Sequence, residues 1–176
     1  MSRNTIAQQV LFAALLAGCQ GSQTVIEEGT DAADMASSSA PDQGTQAGGV
    51  RLSGSITRTA MPKAGGKGPL YIAVFEGNPV VDSKKAVLVG RTVIDEADLA
   101  AADARVSYRI EGIAPSAKER QVLAFLDDNR TAMSSAPGPD AGDLVTLDGI
   151  GGIKVTLPME ADVTLNLVLN AIIPKL

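Results

Sequence analysis

The chain has 176 residues, which is enough for one domain of ordinary size and additional segments. Its formal net charge of −5 argues against a nucleic-acid partner, because proteins that bind phosphates usually carry clustered basic residues. Since the sequence has no histidine and a single cysteine, Cys19, it excludes a histidine-dependent triad, a histidine-ligated or cysteine-cluster metal site, and an intramolecular disulfide within one chain.

Residues 1–18 have the layout of a secretory signal peptide. Arg3 gives a positively charged start, residues 10–17 form an apolar run, and small residues come before Cys19. The apolar run is about half the ~20 residues that a membrane-spanning helix needs, so we do not expect it to remain as a transmembrane anchor. The sequence therefore predicts export followed by cleavage before Cys19.

The segment Leu16-Ala17-Gly18-Cys19 resembles the lipobox of bacterial lipoproteins. The resemblance implies that Cys19 becomes the first mature residue and carries a diacylglyceryl group, often with a further acyl chain such as palmitate on its amine. Two or more acyl chains hold a protein stably on a membrane, so the membrane itself is the expected partner. Gln20 follows the cysteine where the family's inner-membrane proteins have Asp. The resemblance thus implies the cell envelope, at the periplasmic face of the outer membrane or the cell surface rather than the inner membrane.

Residues 19–49 are predicted to be a flexible acidic linker that starts at the lipidated cysteine. Residues 20–49 are rich in Ala, Ser, Gly and Asp, contain no Lys or Arg, and show no sustained apolar periodicity. A flexible chain of this length has a root-mean-square span of about 30 Å. We expect it to lift a folded domain away from the lipid surface.

The pattern changes at Val50, after which apolar residues mostly recur at every second position, as in strands. Two segments are apolar on both faces and are predicted to be central strands covered on both sides: 70–75 and 122–126. Segment 95–104 is predicted to form either a short helix or a loop. Strands with one solvent-exposed face are predicted at 51–57, 105–110, 153–157 and 163–170. Two weaker strand candidates are 87–94 and 144–147.

Turn signals rich in Gly and Pro separate these segments, and no regular alternation of strands and helices is present. The sequence therefore predicts an all-β domain over residues 50–176, an antiparallel β-sandwich of seven or eight strands. Because aromatic residues make up only 3% of the chain, the core is expected to consist of Val, Ile, Leu and Ala. Phe125 is predicted to lie in the packed interior.

Three stretches of this domain resemble transthyretin-like domains of the carboxypeptidase-regulatory type, which are small sandwiches. They are Tyr-Arg-Ile-Glu-Gly-Ile-Ala-Pro at 108–115, Gln-Val-Leu-Ala-Phe-Leu-Asp-Asp-Asn at 121–129, and Gly-Asp at 142–143. The resemblance implies an immunoglobulin-like or transthyretin-like sandwich with an accessory or adhesive role and no catalytic residues.

Polar side chains follow the apolar segment 122–126 and form the best candidate site. Hard oxygen ligands at the end of a strand could hold Ca²⁺, which takes six to eight oxygens, and the candidate ligands are Asp127, Asn129, Asp140 and Asp143. The alternative is a polar loop in which Asp and Asn side chains bond to the backbone. No other cofactor is indicated.

Together these patterns predict a membrane-anchored lipoprotein of the cell envelope that is not an enzyme. Its sandwich is expected to bind an envelope protein or a polysaccharide, or to be a structural subunit of a larger envelope complex. The alternative is a hydrolase centred on the loop from Asp127 to Asp143, because clustered carboxylates raise one another's pKa.

Overall fold

The computed structural model describes residues 49–133, 137–158 and 161–175. The predicted signal peptide, Cys19 and nearly all of the predicted linker lie outside the described residues. Within those residues, no helix is long and apolar enough to cross a membrane. The first strand begins at Val50, where the sequence pattern changes.

Ten strands make up the described part of the chain, and three of them have only two residues. Segment 95–104 completes a long strand and then turns, so its helical alternative is not observed. In chain order the strands are β1 (Val50–Arg58), β2 (Lys67–Glu76), β3 (Val87–Asp98), β4 (Val106–Ile113), β5 (Ser116–Leu126), β6 (Leu144–Val145), β7 (Ile153–Leu157), β8 (Val163–Thr164), β9 (Leu167–Leu169) and β10 (Ala171–Ile172).

The strands form two sheets, and the predicted all-β sandwich is confirmed. The four-stranded sheet has the order β4-β1-β8, with β9 also pairing with β1. The six-stranded sheet has the order β10-β6-β5-β2-β3, with β7 also pairing with β5. All ladders are antiparallel except those of β1 with β8 and β9, which are parallel.

The predicted strand 163–170 is divided into β8 and β9, which Leu165 and Asn166 separate. The Leu165 carbonyl accepts a 2.8 Å hydrogen bond from the Tyr108 hydroxyl, and the Asn166 side-chain oxygen accepts from the Ser55 amide at 3.1 Å. A Cβ on Gly54 would lie 1.9 Å from the Leu165 oxygen, so only glycine fits opposite this carbonyl. The Leu165 amide still donates to the Ser53 carbonyl at 2.8 Å, so side-chain hydrogen bonds replace only part of the ladder between β8 and β9.

The chain changes sheets at Asn170, between β9 and β10. The Asn170 side chain accepts from the Leu147 amide at 2.9 Å and donates to the Leu147 carbonyl at 2.8 Å. A strand that passes from one sheet to the other forms a corner of a sandwich. This asparagine satisfies backbone groups at that corner.

The core lies between the two sheets and matches the predicted composition. Its buried hydrophobic residues are aliphatic or alanine, with Tyr108 as the exception. Tyr108 is only 5% exposed, and burial raises the pKa of its hydroxyl. The hydrogen bond from this hydroxyl to Leu165 satisfies a polar group that would otherwise be costly to bury.

The prediction that β2 and β5 are covered on both sides is wrong for the described residues. Both are inner strands of the six-stranded sheet, but only one face of each packs into the core. Phe125 alternates with the buried Ala124 and Leu126, so it lies on the outer face, where it is partly buried. There it stacks on Tyr71, with ring centroids 4.6 Å apart. Because β2 and β5 are apolar on both faces, their sequences did not show that the outer face is only partly covered.

A buried threonine bridges the gap between the two short partners of β5. On its side away from β2, β5 pairs first with β7 and then with β6. Thr146 is fully buried, and its hydroxyl accepts a 2.9 Å hydrogen bond from the amide of Ala124. The Thr146 amide in turn donates to the Ala124 carbonyl at 2.9 Å. The pairing of β5 therefore continues where neither neighbouring strand reaches.

We expect Thr146→Val to lower the free energy of unfolding by about 1–3 kcal/mol, because it leaves the buried Ala124 amide without its side-chain acceptor. Chemical denaturation of the full chain measures the change. Thr156→Val, at an exposed position in β7, is the matched control and should be nearly neutral. Equal stabilities of the two variants would show that the Thr146 hydroxyl does not support the sheet.

We expect Phe125→Ala to cost about 1–2 kcal/mol, because this side chain is only partly buried and contributes mainly through the Tyr71 ring. Leu126→Ala, at the neighbouring core position, should cost more, about 2–5 kcal/mol. Denaturant unfolding of both variants tests the comparison. A larger loss for Phe125→Ala than for Leu126→Ala would mean that the outer face is covered in the folded protein.

Candidate functional site

The acidic loop, residues 127–143, joins β5 to β6 at one end of the six-stranded sheet. In the antiparallel ladder Leu126 pairs with Leu144, so Asp127 and Asp143 continue from adjacent strand ends. Both aspartates are buried, with exposures of 2% and 0%. The register of β5 on β6 therefore brings together two carboxyl groups that are distant in sequence.

Asp127 organises the first turn of the acidic loop. Its two carboxylate oxygens accept hydrogen bonds from the amides of Thr131 at 2.9 Å and Ala132 at 3.1 Å. Its own amide donates to the Pro69 carbonyl at 2.9 Å, which fixes the strand end against β2. Both oxygens of this carboxylate thus bond to the backbone of its own loop.

Asp128 contacts a different part of the molecule. It is 4% exposed, and its carboxylate accepts hydrogen bonds from the amides of Ala64, at 2.6 Å, and Gly66. These amides belong to the loop between β1 and β2. A buried carboxylate with two amide donors stabilises this loop, because charged acceptors form the stronger hydrogen bonds.

Asn129 and Asp140 meet across the acidic loop, with Thr131 between them. The Asn129 amide group donates to the Asp140 carboxylate at 2.8 Å and to the Ala141 carbonyl at 3.2 Å. The Thr131 hydroxyl contacts both the Asn129 oxygen and the second Asp140 oxygen. These three side chains close the loop on its exposed side.

Asp143 differs from the other acidic residues because its environment disfavours its charge. One carboxyl oxygen accepts from the Asp140 amide at 2.9 Å, and the other has no hydrogen-bond partner among the described residues. Burial raises the pKa of this carboxyl to about 6, and the negative charges of Asp140 and Asp127 act in the same direction. A carboxyl group with this pKa changes its protonation state around pH 6.

The structure brings the four predicted site residues into one loop, but it gives their oxygens separate donors. Asp127 and Asp143 face the buried side, whereas Asn129 and Asp140 join on the exposed side. Within residues 49–133, 137–158 and 161–175, no group of three or more acidic side chains is arranged to hold a metal ion. The Ca²⁺ assignment to these residues stays a prediction.

Sequence reasoning missed two residues of this region, Thr131 and Tyr71. Thr131 follows Asn129 by two positions, a spacing typical of turns in which an Asn side chain bonds to the backbone. Tyr71 lies in β2. Burial is the largest cause that raises the pKa of its hydroxyl, and the negative charges of Asp127, Asp95 and Asp143 raise it further. Only the pairing of β2 with β5 places this tyrosine beside the acidic loop.

Comparisons with known proteins give little additional information. No protein-family profile matches the sequence, and no curated protein matches it. Among solved structures, the chain is similar to an alternative pilotin from the type II secretion system of Vibrio cholerae, at 11% identity and a TM-score of 0.40. The alignment covers 69% of this chain and 96% of the pilotin. A likeness at this level supports no functional argument, so function has to be inferred from the residues themselves.

We expect Asp143 to make the stability of the protein fall as pH rises. Its pKa is about 6 in the folded state against an ordinary value of 3.8, so the folded protein holds the proton more tightly than the unfolded chain. This contribution is fully present below pH 4 and is lost as pH rises through about 6. Asp143→Asn mimics the neutral form of the side chain. The difference in free energy of unfolding between this variant and the natural protein should therefore shift in favour of the variant from pH 4 to pH 7.

Denaturant unfolding of the full chain at pH 4, 5, 6 and 7 measures this difference. Asp148→Asn, at an exposed turn position, is the control and should follow the natural protein at every pH. A constant difference between Asp143→Asn and the natural protein across the series would contradict the raised pKa.

Proposed function

We propose that this chain is a lipid-anchored protein of the bacterial cell envelope whose β-sandwich binds or supports another envelope component without catalysis. The observation that carries the proposal is the segment Leu16-Ala17-Gly18-Cys19, in which the thiol of Cys19 would accept the lipid. Acyl chains on this residue would hold the protein at the membrane, with the outer membrane favoured because Gln20 follows the cysteine. The linker over residues 20–49 would separate the sandwich from the lipid.

The hydrogen bonds of the acidic loop support a non-catalytic role for it. Asp127 and Asp128 each accept two backbone amides, so their carboxylates already stabilise loops of the domain. A general acid or base needs an oxygen that can reach a proton on the substrate. The buried position of these groups favours a structural role. For the domain as a whole, we infer that the partner is an envelope protein or a polysaccharide.

One observation favours the alternative, a hydrolase that uses carboxyl groups. Asp143 has a raised pKa and lies beside Asp127, and two carboxyl groups in different environments can act as acid and base. In that case hydrolytic activity would follow the titration of Asp143 near pH 6 and would be lost in Asp143→Asn, a variant that we expect to fold because it mimics the neutral carboxyl. The same variant would leave a non-catalytic binding role unchanged.

Replacing Cys19 with Ser should abolish lipid attachment, because a hydroxyl cannot form the thioether. The measurement is incorporation of radiolabelled palmitate into the full chain expressed in a bacterial host, followed by fractionation of the membranes. Ser22→Ala, three residues away, is the matched control and should keep both the label and the membrane location. Label retained by Cys19→Ser would refute the lipoprotein assignment.

A second variant tests the sorting step separately. Gln20→Asp should move the labelled protein from the outer to the inner membrane fraction without loss of label. An unchanged distribution would leave the lipid anchor intact and remove the argument for the outer membrane.

A further inference from the structure

Strand β3 is an edge strand of the six-stranded sheet, and β4 of the other sheet packs against its inner side. It has 12 residues, about twice the usual strand length, and among the described residues it pairs only with β2. An open edge presents unpaired backbone amides and carbonyls, to which another strand can add. This edge is therefore a place where the sheet can be extended.

Val93 and Leu88 are apolar side chains on the outer face of this edge. Val93 pairs with Tyr71, which stacks on Phe125, so one apolar row runs from the centre of the sheet to its edge. Val93 is 44% exposed and Leu88 is 36% exposed. A partner strand at this edge would remove part of this surface from water.

Two charged side chains flank Val93 symmetrically. Arg91 and Asp95 lie two residues before and two residues after it, and both are exposed. Neither forms a salt bridge or a side-chain hydrogen bond with the described part of the chain. Because a strand rises about 3.3 Å per residue, the two positions are about 13 Å apart and cannot pair within one chain.

A second copy that approaches in the antiparallel sense brings these opposite charges together. With Val93 on the two-fold axis, Arg91 of each copy lies opposite Asp95 of the other, and two ion pairs form around a central pair of valines. Two-fold symmetry doubles each contact, as in most dimers of identical chains. The spacing of opposite charges about one apolar residue is thus self-complementary.

Irregularities in β3 limit the length of such a contact. The register between β2 and β3 shifts between Gly68 and Leu70 and again between Val74 and Phe75, so regular pairing covers Gly90–Ile94 of β3, and Asp95 is the first residue of the bulge that follows. Bulges at a strand edge restrict pairing with other chains. The contact would therefore be short and centred on Val93, which corresponds to a reversible association and not to an extended fibre.

We propose that two copies of this chain associate through their β3 edges, antiparallel, with Val93 at the two-fold axis and Arg91 of each copy paired with Asp95 of the other. The proposal does not depend on the lipid anchor or on the acidic loop. It assigns the partner as a second identical chain because the charges at this edge complement themselves.

Charge reversal tests the pairing directly. Sedimentation equilibrium of the detergent-solubilised full chain should show a concentration-dependent dimer, and Arg91→Asp or Asp95→Arg should raise its dissociation constant about tenfold or more, because each puts like charges opposite one another. The double variant with both changes restores opposite charges and should recover the dissociation constant to within about threefold. The natural protein and the three variants have the same N-terminal segment. Any association through the detergent micelle therefore affects all four equally.

A second pair of variants tests the position of the axis. Val93→Lys puts two like charges at the centre of the contact and should abolish the dimer. Val87→Lys changes an even more exposed valine of the same strand, away from the axis, and should leave the dimer intact. Thermal melting verifies that each variant folds, which we expect because the changed side chains are exposed.

Three results would overturn the proposal. The natural protein could remain monomeric at all concentrations, which would mean that the edge is not a self-interface. The double charge reversal could be as weak as either single reversal, or Val87→Lys could disrupt the dimer as strongly as Val93→Lys. Either outcome would place the contact elsewhere.

Discussion

The position of β5 in the six-stranded sheet is the constraint on which the rest of the structure depends. This strand pairs with β2 on one side and with β6 and β7 on the other, and Thr146 bridges the gap between the two short partners. Successive side chains of β5 point to opposite faces, so a shift of one residue would exchange Leu126 for Phe125 in the core. The core, the outer face and the acidic loop all follow from this one register.

The acidic loop illustrates how a structural need can create chemical reactivity. Asp127 and Asp128 leave the end of β5 and use backbone amides to fix two loops. The same strand end buries Asp143 next to them, where one of its oxygens has no described partner. The raised pKa of Asp143 is a consequence of this arrangement, since the cost of burying its charge exceeds the stabilisation of that charge by backbone amides. A shifted pKa here is compatible with a loop that has no catalytic role.

Apolar side chains lie on the outer face of the six-stranded sheet and along the β3 edge. Tyr71, Phe75 and Phe125 lie on this face, whereas Tyr108 alone among the described aromatic residues lies in the core. Most of the described aromatic residues therefore lie outside the core. At a surface, large rigid aromatic side chains favour contacts with other molecules. The self-complementary charges about Val93 give such contacts a preferred geometry.

The sequence alone determined most of the strand positions and the aliphatic core, because alternation with a period of two reports directly on which side chains face inward. It also identified the acidic loop, since Asp and Asn after an apolar strand are local features. The division of segment 163–170, the parallel pairing of β8 and β9, and the open face beside Phe125 were decided only by the tertiary structure. They depend on the Leu165 carbonyl opposite Gly54 and on which strands meet across the sandwich. The sequence also indicated four candidate oxygen ligands. What the carboxylates among them bind depends on the backbone amides that the fold places next to each one. Such long-range partners leave no periodic signal in the chain.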